Sequence, residues 1–218
     1  MPATTIRDGV RAGLPFVVPT AAIGVSFGVL TRSLGWDLPA PIVMSMIVYS
    51  GSAQFAAASV LGDGGTVFAA VLAAALVNAR FLPMGIAVAP SLRGSPLRRA
   101  LEGQAVVDAS WALANKEGRF DRGILIGATF PQYAGWVGGT AIGAFAASAI
   151  GDPKALGLDV MFPAFFLALL APELRESTRA RAVALGGAVI ALGLTPLVPA
   201  GIPIVAASAA AVVGGLRR

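Results

Sequence analysis

The chain has 218 residues, of which 56% are hydrophobic and only 12% are charged, whereas about 25% of the residues of a soluble domain are charged. The mean hydropathy is +0.80 and the formal net charge is +5. The chain contains neither Cys nor His, which excludes disulfides, thiolate chemistry, and metal sites or proton relays built on imidazole.

Long uncharged stretches are typical of a chain that crosses a membrane several times. Residues 12–31, 38–62, 123–151 and 182–216 contain no charged residue, and about 20 apolar residues are enough to cross ~30 Å of hydrocarbon. The sequence therefore predicts an all-α, multi-pass integral membrane protein, with one membrane transport domain over residues 1–218. The basic residues lie at the ends of these stretches, where they are typical of topology signals and not of nucleic-acid binding.

Seven membrane spans are predicted in chain order. The apolar stretch after Arg7 and Arg11 is too long for the h-region of a signal peptide, which has about 7–15 residues, so we interpret it as the first span. The last uncharged run is too long for one crossing at about 1.5 Å per residue, and prolines between 196 and 203 divide it. The predicted spans are 13–32, 40–61, 65–90, 123–149, 156–172, 181–198 and 200–217.

A basic linker, residues 93–122, separates the third span from the fourth. Within it, residues 101–115 carry a polar face at helical spacing, which fits either an interfacial helix or an eighth span. Seven spans with a cytoplasmic C-terminus place the linker inside, as the positive-inside rule favours, but leave Arg7 and Arg11 outside. Eight spans place the N-terminus inside and residues 93–99 outside.

A weak internal repeat is visible in the first and fourth spans. The matching positions are Pro15, Gly24 and Gly28 in the first span and Pro131, Gly139 and Gly143 in the fourth. They divide the chain into repeat halves 13–90 and 123–198, which are inverted in the seven-span topology. Inverted repeats with broken helices place a substrate site near the membrane midplane.

The second span contains the polar segment from Tyr49 to Gln54. In a regular helix Ser52 and Gln54 point about 200° apart, so a shared site requires the helix to unwind near Gly51. Glycine tolerates such a break, and broken transporter helices expose backbone groups to substrate. Hydrogen bonds between helices are the alternative role for Ser and Gln here.

Arg80 lies within the otherwise uncharged stretch 64–92, in the third span, where a charge costs on the order of 2.5–3.5 kcal/mol on insertion scales. Pro83 predicts a kink or break just after Arg80. A guanidinium there could hold a carboxylate in a two-point fork, with Asn78 orienting it. The alternatives are a structural ion pair with a buried Asp, or a helix end from which Arg80 reaches the interface.

Two further candidates complete the predicted site. Asp108, on the polar face of 101–115, could pair with Arg80 or carry a proton if it is buried, and otherwise belongs to a solvated face. Phe162 and Pro163 could line an apolar pocket or face lipid. The chain has no P-loop, zinc motif or Ser/His/Asp set, so we predict no enzyme, no metal and no cofactor.

The ordered set of these segments resembles the AzlC/YgaZ family, the large subunit of branched-chain amino-acid exporters. The segments that carry the resemblance are Gly13-Leu-Pro-Phe16 with Phe27-Gly28, Tyr49-Ser-Gly-Ser-Ala-Gln-Phe55, Asn78-Ala-Arg-Phe-Leu-Pro-Met-Gly85, Val107-Asp-Ala-Ser-Trp-Ala112, Trp136-Val-Gly-Gly-Thr-Ala-Ile-Gly-Ala144 and Leu158-Asp-Val-Met-Phe-Pro-Ala164. Their order and spacing match over nearly the whole chain.

The resemblance implies a plasma-membrane secondary transporter that exports valine, leucine, isoleucine and often methionine. It also implies a small membrane partner subunit of the AzlD type. Two positions depart from the family pattern, because its usual Arg-His pair is Arg80-Phe81 here and its usual Asp-Glu pair is Asp108-Ala109. One titratable neighbour of each charged residue is therefore absent.

Our hypothesis is an alternating-access exporter in which Arg80, oriented by Asn78, holds the substrate carboxylate. Residues Tyr49, Gly51, Ser52 and Gln54 would bind the ammonium group or line the path, Asp108 would be the counter-ion or coupling group, and Phe162 and Pro163 would receive the apolar side chain. A non-transporting scaffold or regulatory subunit, or a small-solute channel, is the alternative.

Overall fold

The computed structural model describes residues 4–116, 119–150, 160, 164, 167, 170–171, 174–175, 177–198, 202–203 and 206–207. These residues are mostly helical, which confirms the prediction of an all-α chain. The helices are α1 Ile6–Gly13, α2 Val17–Ser33, α3 Pro39–Ile47, α4 Gly51–Gly62, α5 Val67–Asn78, α6 Phe81–Val88, α7 Pro96–Gly103, α8 Asp108–Ala114, α9 Arg122–Ile150 and α10 Thr178–Leu194. Short 3₁₀ turns occupy Leu14–Phe16 and Ala89–Ser91, and the two-residue strands β1 Asn115–Lys116 and β2 Arg119–Phe120 pair antiparallel.

One described helical stretch is long and apolar enough to cross a membrane by itself, the 28 residues Ile6–Ser33. A second stretch, α5 followed by Phe81–Ser91, meets the same criterion only as a pair interrupted at Ala79 and Arg80. Most of the predicted spans 156–172 and 200–217 lies outside the described residues. The count of seven spans, with eight as the alternative, therefore stays a prediction.

The chain divides into two compact units. The first consists of Met1–Gly51 and Asn78–Leu158, and the second of Ser52–Val77 and Asp159–Arg218. Each unit takes residues from both of the predicted repeat halves, 13–90 and 123–198. The repeat itself stays a prediction.

In the first unit, α1 and α2 pack along α9. Residue numbers rise in the same direction in all three helices. Gly9 lies beside Gly127, and Gly28 lies beside Ala144. Residues near the starts of α1 and α9 are therefore neighbours, and so are residues near the end of α2 and the C-terminal half of α9. The helices α1–α2 and α9 are consequently parallel.

Small residues on both sides bring these backbones into direct contact. A Cβ added to Gly24 would lie 2.6 Å from the carbonyl oxygen of Trp136, and one on Gly28 would lie 2.6 Å from the amide nitrogen of Ala144. Close approach of this kind allows dispersion contacts between backbones to hold helices together in lipid, where burial of apolar area gives little driving force. The other glycines in the contact are Gly9, Gly13, Gly123, Gly127, Gly135, Gly139 and Gly143.

Two further helices of the first unit meet α9, one along part of its length and the other at its own end. In α3, Ser45 contacts Thr140, and Tyr49, four residues later, packs against Tyr133, so α3 runs from the C-terminal half of α9 toward its middle. At the end of α6, Val88 is buried in a cluster with Leu125 at the start of α9. The helix α6 therefore ends at the same end of α9 at which α1 begins.

The apolar cluster at that end connects four segments of the first unit. It contains Val88, Ala105, Val106, Ala114, Ile124 and Leu125, with Trp111 and Phe120 packed against it. A salt bridge joins α7 to α9 through Glu102 and Arg122. The linker 93–122 is thereby packed against the first turns of α9.

In the described part of the second unit, α4 is largely buried and α5 largely exposed. All residues from Ser52 to Ala58 are buried, whereas Phe68 on α5 is 77% exposed. The turn between the two helices uses Gly64 at φ +79°, a left-handed conformation that glycine adopts without the steric penalty that other residues incur. In α10, Gly187 packs beside Ala207.

The close contact between α2 and α9 predicts a position-specific cost of added volume. Gly139→Ala places a methyl group against the backbone of Ala21 and should lower the free energy of unfolding by about 1–3 kcal/mol, as overpacking does. Gly138 has no atom within 4 Å of an added Cβ, so Gly138→Ala should be neutral or stabilising by up to about 1 kcal/mol. Thermal unfolding of the purified variants in detergent measures the difference, and equal midpoints would contradict the contact.

Candidate functional site

Arg80 lies at an interruption between two helices. The helix α5 ends at Asn78, Ala79 and Arg80 form a turn, and α6 resumes at Phe81. The interruption thus falls at Ala79–Arg80 and not after Arg80 as Pro83 had predicted. Pro83 instead occupies the first turn of α6, where its missing N–H removes no helical hydrogen bond.

Arg80 and Asp108 form a two-point ion pair. The Nε of Arg80 donates to Oδ1 of Asp108 at 3.1 Å, and Nη2 donates to Oδ2 at 2.7 Å. Asp108 is the first residue of α8, and a carboxylate there also interacts favourably with the helix dipole. Both side chains are about one-third exposed, at 32% and 36%, so each keeps access to solvent or a ligand.

Phe81 contributes to the setting of Arg80. The Cζ of Arg80 lies 4.9 Å from the centroid of the Phe81 ring, within the distance for a cation–π interaction. The guanidinium is therefore held by a carboxylate and an aromatic face. The resemblance to the AzlC/YgaZ pattern would place a titratable His at position 81, and Phe81 offers a contact that does not change with pH.

A second hydrogen bond links the two helix interruptions of the first unit. The chain between α3 and α4 is non-helical at Tyr49 and Ser50, and the hydroxyl of Ser50 donates to Oδ1 of Asn78 at 2.6 Å. Asn78 precedes Arg80 by two residues. The interruption before Gly51 is thereby connected to the interruption that carries Arg80.

One face of α9 supports the α3 interruption. Three residues at helical spacing form that face. Tyr133 contacts Met46 and Tyr49, Trp136 contacts Gly51, and Thr140 contacts Ser45. A Cβ added to Gly51 would lie 2.8 Å from Cη2 of Trp136. The indole ring therefore packs directly against the backbone at the start of α4.

The structure places some of the predicted site residues in the first unit and others in the second. Arg80, Asp108, Asn78 and the Tyr49–Gly51 segment all belong to the first unit. Ser52 and Gln54 are buried residues of α4 in the second unit. Phe162 and Pro163 lie outside the described residues. Unwinding was expected near Gly51, and the non-helical residues are the three that precede it, Val48, Tyr49 and Ser50.

Sequence reasoning did not select Tyr133 and Trp136, which contact the Tyr49–Gly51 segment, or Ser45 and Thr140, which bond to each other beside it. Aromatic and hydroxyl side chains in a glycine-rich helix are commonly packing residues, so their type gave no signal. The spacing of Tyr133, Trp136 and Thr140 at i, i+3 and i+7 on α9 is a helical stripe, but a stripe becomes informative only once its partner is known. Among the described residues, no group of three or more acidic side chains could hold a metal ion.

A second charged cluster lies at the start of α9, outside the apolar stretches. Glu102 accepts from Nε of Arg122 at 2.8 Å and from Nε of Arg98 at 3.0 Å. The hydrogen bonds from Arg122 are the main cause that lowers the pKa of Glu102 from its ordinary 4.5 to about 2. Glu102 therefore stays ionised over the physiological range and ties α7 to α9.

A family comparison identifies the wider group to which the chain is similar. The model of the AzlC protein family matches residues 15–150, more than half of the chain. This range includes Arg80, Asp108 and the Tyr49–Gly51 segment. It also covers most of the close contact between α2 and α9.

Curated relatives match over much of their length. The inner membrane protein YgaZ of Escherichia coli is 28% identical over 207 residues, which are 88% of this chain and 83% of YgaZ. The branched-chain amino acid transport protein AzlC of Bacillus subtilis is 29% identical over 167 residues, covering 73% of this chain and 65% of that protein. An uncharacterized membrane protein of Archaeoglobus fulgidus is 29% identical over 213 residues, covering 96% and 94%. No solved structure matches the chain significantly.

The Glu102 cluster predicts a defined dependence of stability on pH. Because the pKa of Glu102 in the folded chain lies below its ordinary value, its pairing stabilises the fold above about pH 4.5, and the contribution is lost as the pH falls toward 2. Glu102→Gln should lower the unfolding temperature at pH 6 and flatten its fall between pH 5 and pH 2.5, relative to the unmutated chain. A series of thermal melts over this range measures both effects, and parallel curves for the two proteins would contradict the assignment.

Proposed function

Because this chain belongs to the AzlC family of membrane transport proteins, we propose that it is the large subunit of an exporter for branched-chain amino acids. The proposed substrates are valine, leucine and isoleucine, with methionine as a further candidate. The name of the Bacillus subtilis relative supports this substrate class. The observation that carries the proposal is the two-point ion pair of Arg80 with Asp108 at a helix interruption.

Arg80 is the proposed binding group for the substrate carboxylate. Its fork is occupied by the carboxylate of Asp108 in the same two-point geometry that an amino-acid carboxylate adopts. Substrate binding is then an exchange of one carboxylate for another, which avoids leaving an unpaired guanidinium within the membrane. Protonation of Asp108 would also release Arg80, so Asp108 is the proposed counter-ion and coupling group.

The remaining predicted residues have proposed roles around this exchange. Asn78, anchored by Ser50, orients Arg80. Tyr49, Gly51, Ser52 and Gln54 bind the ammonium group or line the path, and Phe162 and Pro163 receive the apolar side chain. These assignments involve binding and movement alone, without catalysis.

A small membrane subunit of the AzlD type is the proposed partner, in the cell membrane. A scaffold or regulatory subunit that does not transport is the second candidate, because an ion pair such as Arg80–Asp108 can also serve structure alone. Exchanging the two charges separates these functions. A scaffold tolerates Arg80→Asp combined with Asp108→Arg, whereas a carboxylate-binding site placed at position 80 does not.

The substrate role of Arg80 predicts a large loss of transport. With the chain and an AzlD-type subunit reconstituted in proteoliposomes, saturable efflux of labelled valine is expected. Arg80→Ala should reduce it by about 10- to 100-fold, the effect of losing a charge-assisted hydrogen bond worth about 1.5–3 kcal/mol. Arg98→Ala removes an exposed arginine of α7 and serves as the matched control. Undiminished efflux by Arg80→Ala would refute the role, and flux without saturation would indicate a channel.

We also propose a membrane topology in which the N-terminus is cytoplasmic. The parallel packing of α1–α2 and α9 supports a common direction of crossing, with the starts of both on one side of the membrane. Arg7 and Arg11 would share that side with Lys116, Arg119 and Arg122, so the positive-inside rule makes it the cytoplasmic side. This differs from the seven-span expectation, in which Arg7 and Arg11 are outside.

The path between α2 and α9 is compatible with this topology. The helix α3 runs from the C-terminal half of α9 toward its middle, and α6 ends beside the start of α9, so together they are compatible with one return crossing. The segment between them, α4 and α5, leaves the first unit after Gly51 and returns at Asn78. Ser50, which precedes Gly51, donates a hydrogen bond to Asn78, so the two points are close together. Whatever its course, this segment adds no net crossing. A cytoplasmic C-terminus then requires an even number of spans.

The absence of cysteine makes this topology directly testable by labelling. Single cysteines at exposed positions, Arg7→Cys, Leu97→Cys and Asp37→Cys, are treated with a membrane-impermeant maleimide in right-side-out vesicles. We expect labelling of Asp37→Cys before permeabilisation, and of the other two only afterwards. Labelling of Arg7→Cys but not Leu97→Cys from outside would support the seven-span arrangement and overturn ours.

A further inference from the structure

The last backbone carbonyls of α3 need hydrogen-bond donors. The interruption removes the helical amides that would otherwise donate to them. The last helical hydrogen bond of α3 runs from the amide of Val48 to the carbonyl of Met44 at 2.8 Å. The carbonyls that follow would ordinarily accept from residues 49 onward, but Tyr49 and Ser50 are not helical. Within a bilayer such a carbonyl costs several kcal/mol unless another donor satisfies it.

Tyr133 of α9 supplies a donor for one of these carbonyls. Its hydroxyl donates to the carbonyl oxygen of Met46 at 2.9 Å. Its ring also packs edge-on against Tyr49, with centroids 5.0 Å apart and planes at 74°. One side chain thereby contacts both the last turn of α3 and Tyr49 beyond it.

The segment that Tyr133 holds is the one that reaches Arg80. Tyr49 is followed by Ser50, whose hydroxyl bonds to Asn78, and Asn78 ends the helix just before Ala79 and Arg80. The support is rigid, since α9 is fixed by the glycine contact with α1 and α2. A displacement of the α3 end would therefore be transmitted through Ser50 and Asn78 to the guanidinium.

We propose that Tyr133 is a positioning residue of the transport site, and that its hydroxyl closes the open end of α3 and so fixes the Tyr49–Ser50 segment against Asn78. The expected effect of Tyr133 on substrate binding rests on the proposed function. The expected effect of Tyr133 on the backbone rests on the geometry alone. Tyr133 does not itself touch the substrate in this scheme. By fixing the position of Arg80, Tyr133 would influence the affinity of the site for the substrate carboxylate.

The substitution that isolates the hydroxyl is Tyr133→Phe, which keeps the ring against Tyr49. The matched control is Thr31→Val, which removes a buried hydroxyl bonded to the carbonyls of Phe27 and Gly28 within α2, away from the interruption. Both variants lose a hydroxyl-to-carbonyl bond, so both are expected to lower overall stability slightly. Only Tyr133→Phe should alter the site.

The first readout is hydrogen exchange of peptides that span residues 46–51 in the purified full-length chain. Loss of one hydrogen bond, typically worth about 0.5–1.5 kcal/mol, corresponds to exchange about 2- to 10-fold faster. We expect this increase in Tyr133→Phe and not in Thr31→Val. Unchanged exchange, or an equal increase in both variants, would overturn the anchoring role independently of any transport measurement.

The second readout is the concentration dependence of valine efflux with the partner subunit present. Tyr133→Phe should raise the KM for valine by about 2- to 10-fold with the maximal rate largely kept, since the weaker position of Arg80 acts on binding. The KM of Thr31→Val should equal that of the unmutated chain. An unchanged KM in Tyr133→Phe would overturn the positioning role, whereas a lack of valine efflux by the unmutated chain would overturn the proposed function and leave the exchange result to decide the anchor.

Discussion

The direct backbone contact of α1–α2 with α9 is the constraint on which the first unit depends. In a bilayer, apolar side chains gain little from meeting each other, so helices associate where small residues let their backbones touch. Glycines on both sides provide this contact along most of α9. This contact fixes α9, and a neighbouring stripe of the same helix, Tyr133, Trp136 and Thr140, contacts the end of α3 and the start of α4. Trp136 takes part in both contacts, since its ring also stacks on Phe27 of α2 with centroids 6.0 Å apart. The position of the segment that reaches Arg80 therefore depends on how α2 and α9 pack.

Interrupted helices in a membrane need their freed polar groups to be satisfied, and in the first unit side chains do this. Tyr133 serves a carbonyl at the end of α3, Ser50 bonds to Asn78, and Asp108 pairs with Arg80. Each contact joins segments that are distant along the chain. The interruptions are therefore stable features of the fold, and a ligand that displaces one partner must offer the same kind of bond.

Much of the site could be predicted because charge and backbone chemistry are local signals. An arginine in an uncharged stretch identified Arg80, and the glycine and proline nearby predicted that both helices would be interrupted close to Gly51 and Pro83. The glycines of the proposed repeat, Gly24 with Gly139 and Gly28 with Gly143, proved to be packing partners, and glycine spacing was the visible trace of that contact. The direction in which α9 runs beside α2 could not be predicted, since composition is the same for parallel and antiparallel helices. Charge counting in the loops favours an external N-terminus, whereas the parallel packing of α2 and α9 supports the cytoplasmic one that we propose. Tyr133 and Trp136 stayed hidden for a similar reason, because their role depends on what packs against them.

The hydrogen bond between Ser50 and Asn78 also makes the first unit independent of the length of chain that it leaves out. Residues 52–77 belong to the second unit, yet the two points at which the chain leaves the first unit and rejoins it are held close together by this bond. An insertion or deletion in α4 or α5 therefore does not stretch the chain at Ser50 or at Asn78. The ion pair of Arg80 with Asp108, which lies within the first unit, is thereby insulated from such changes in length.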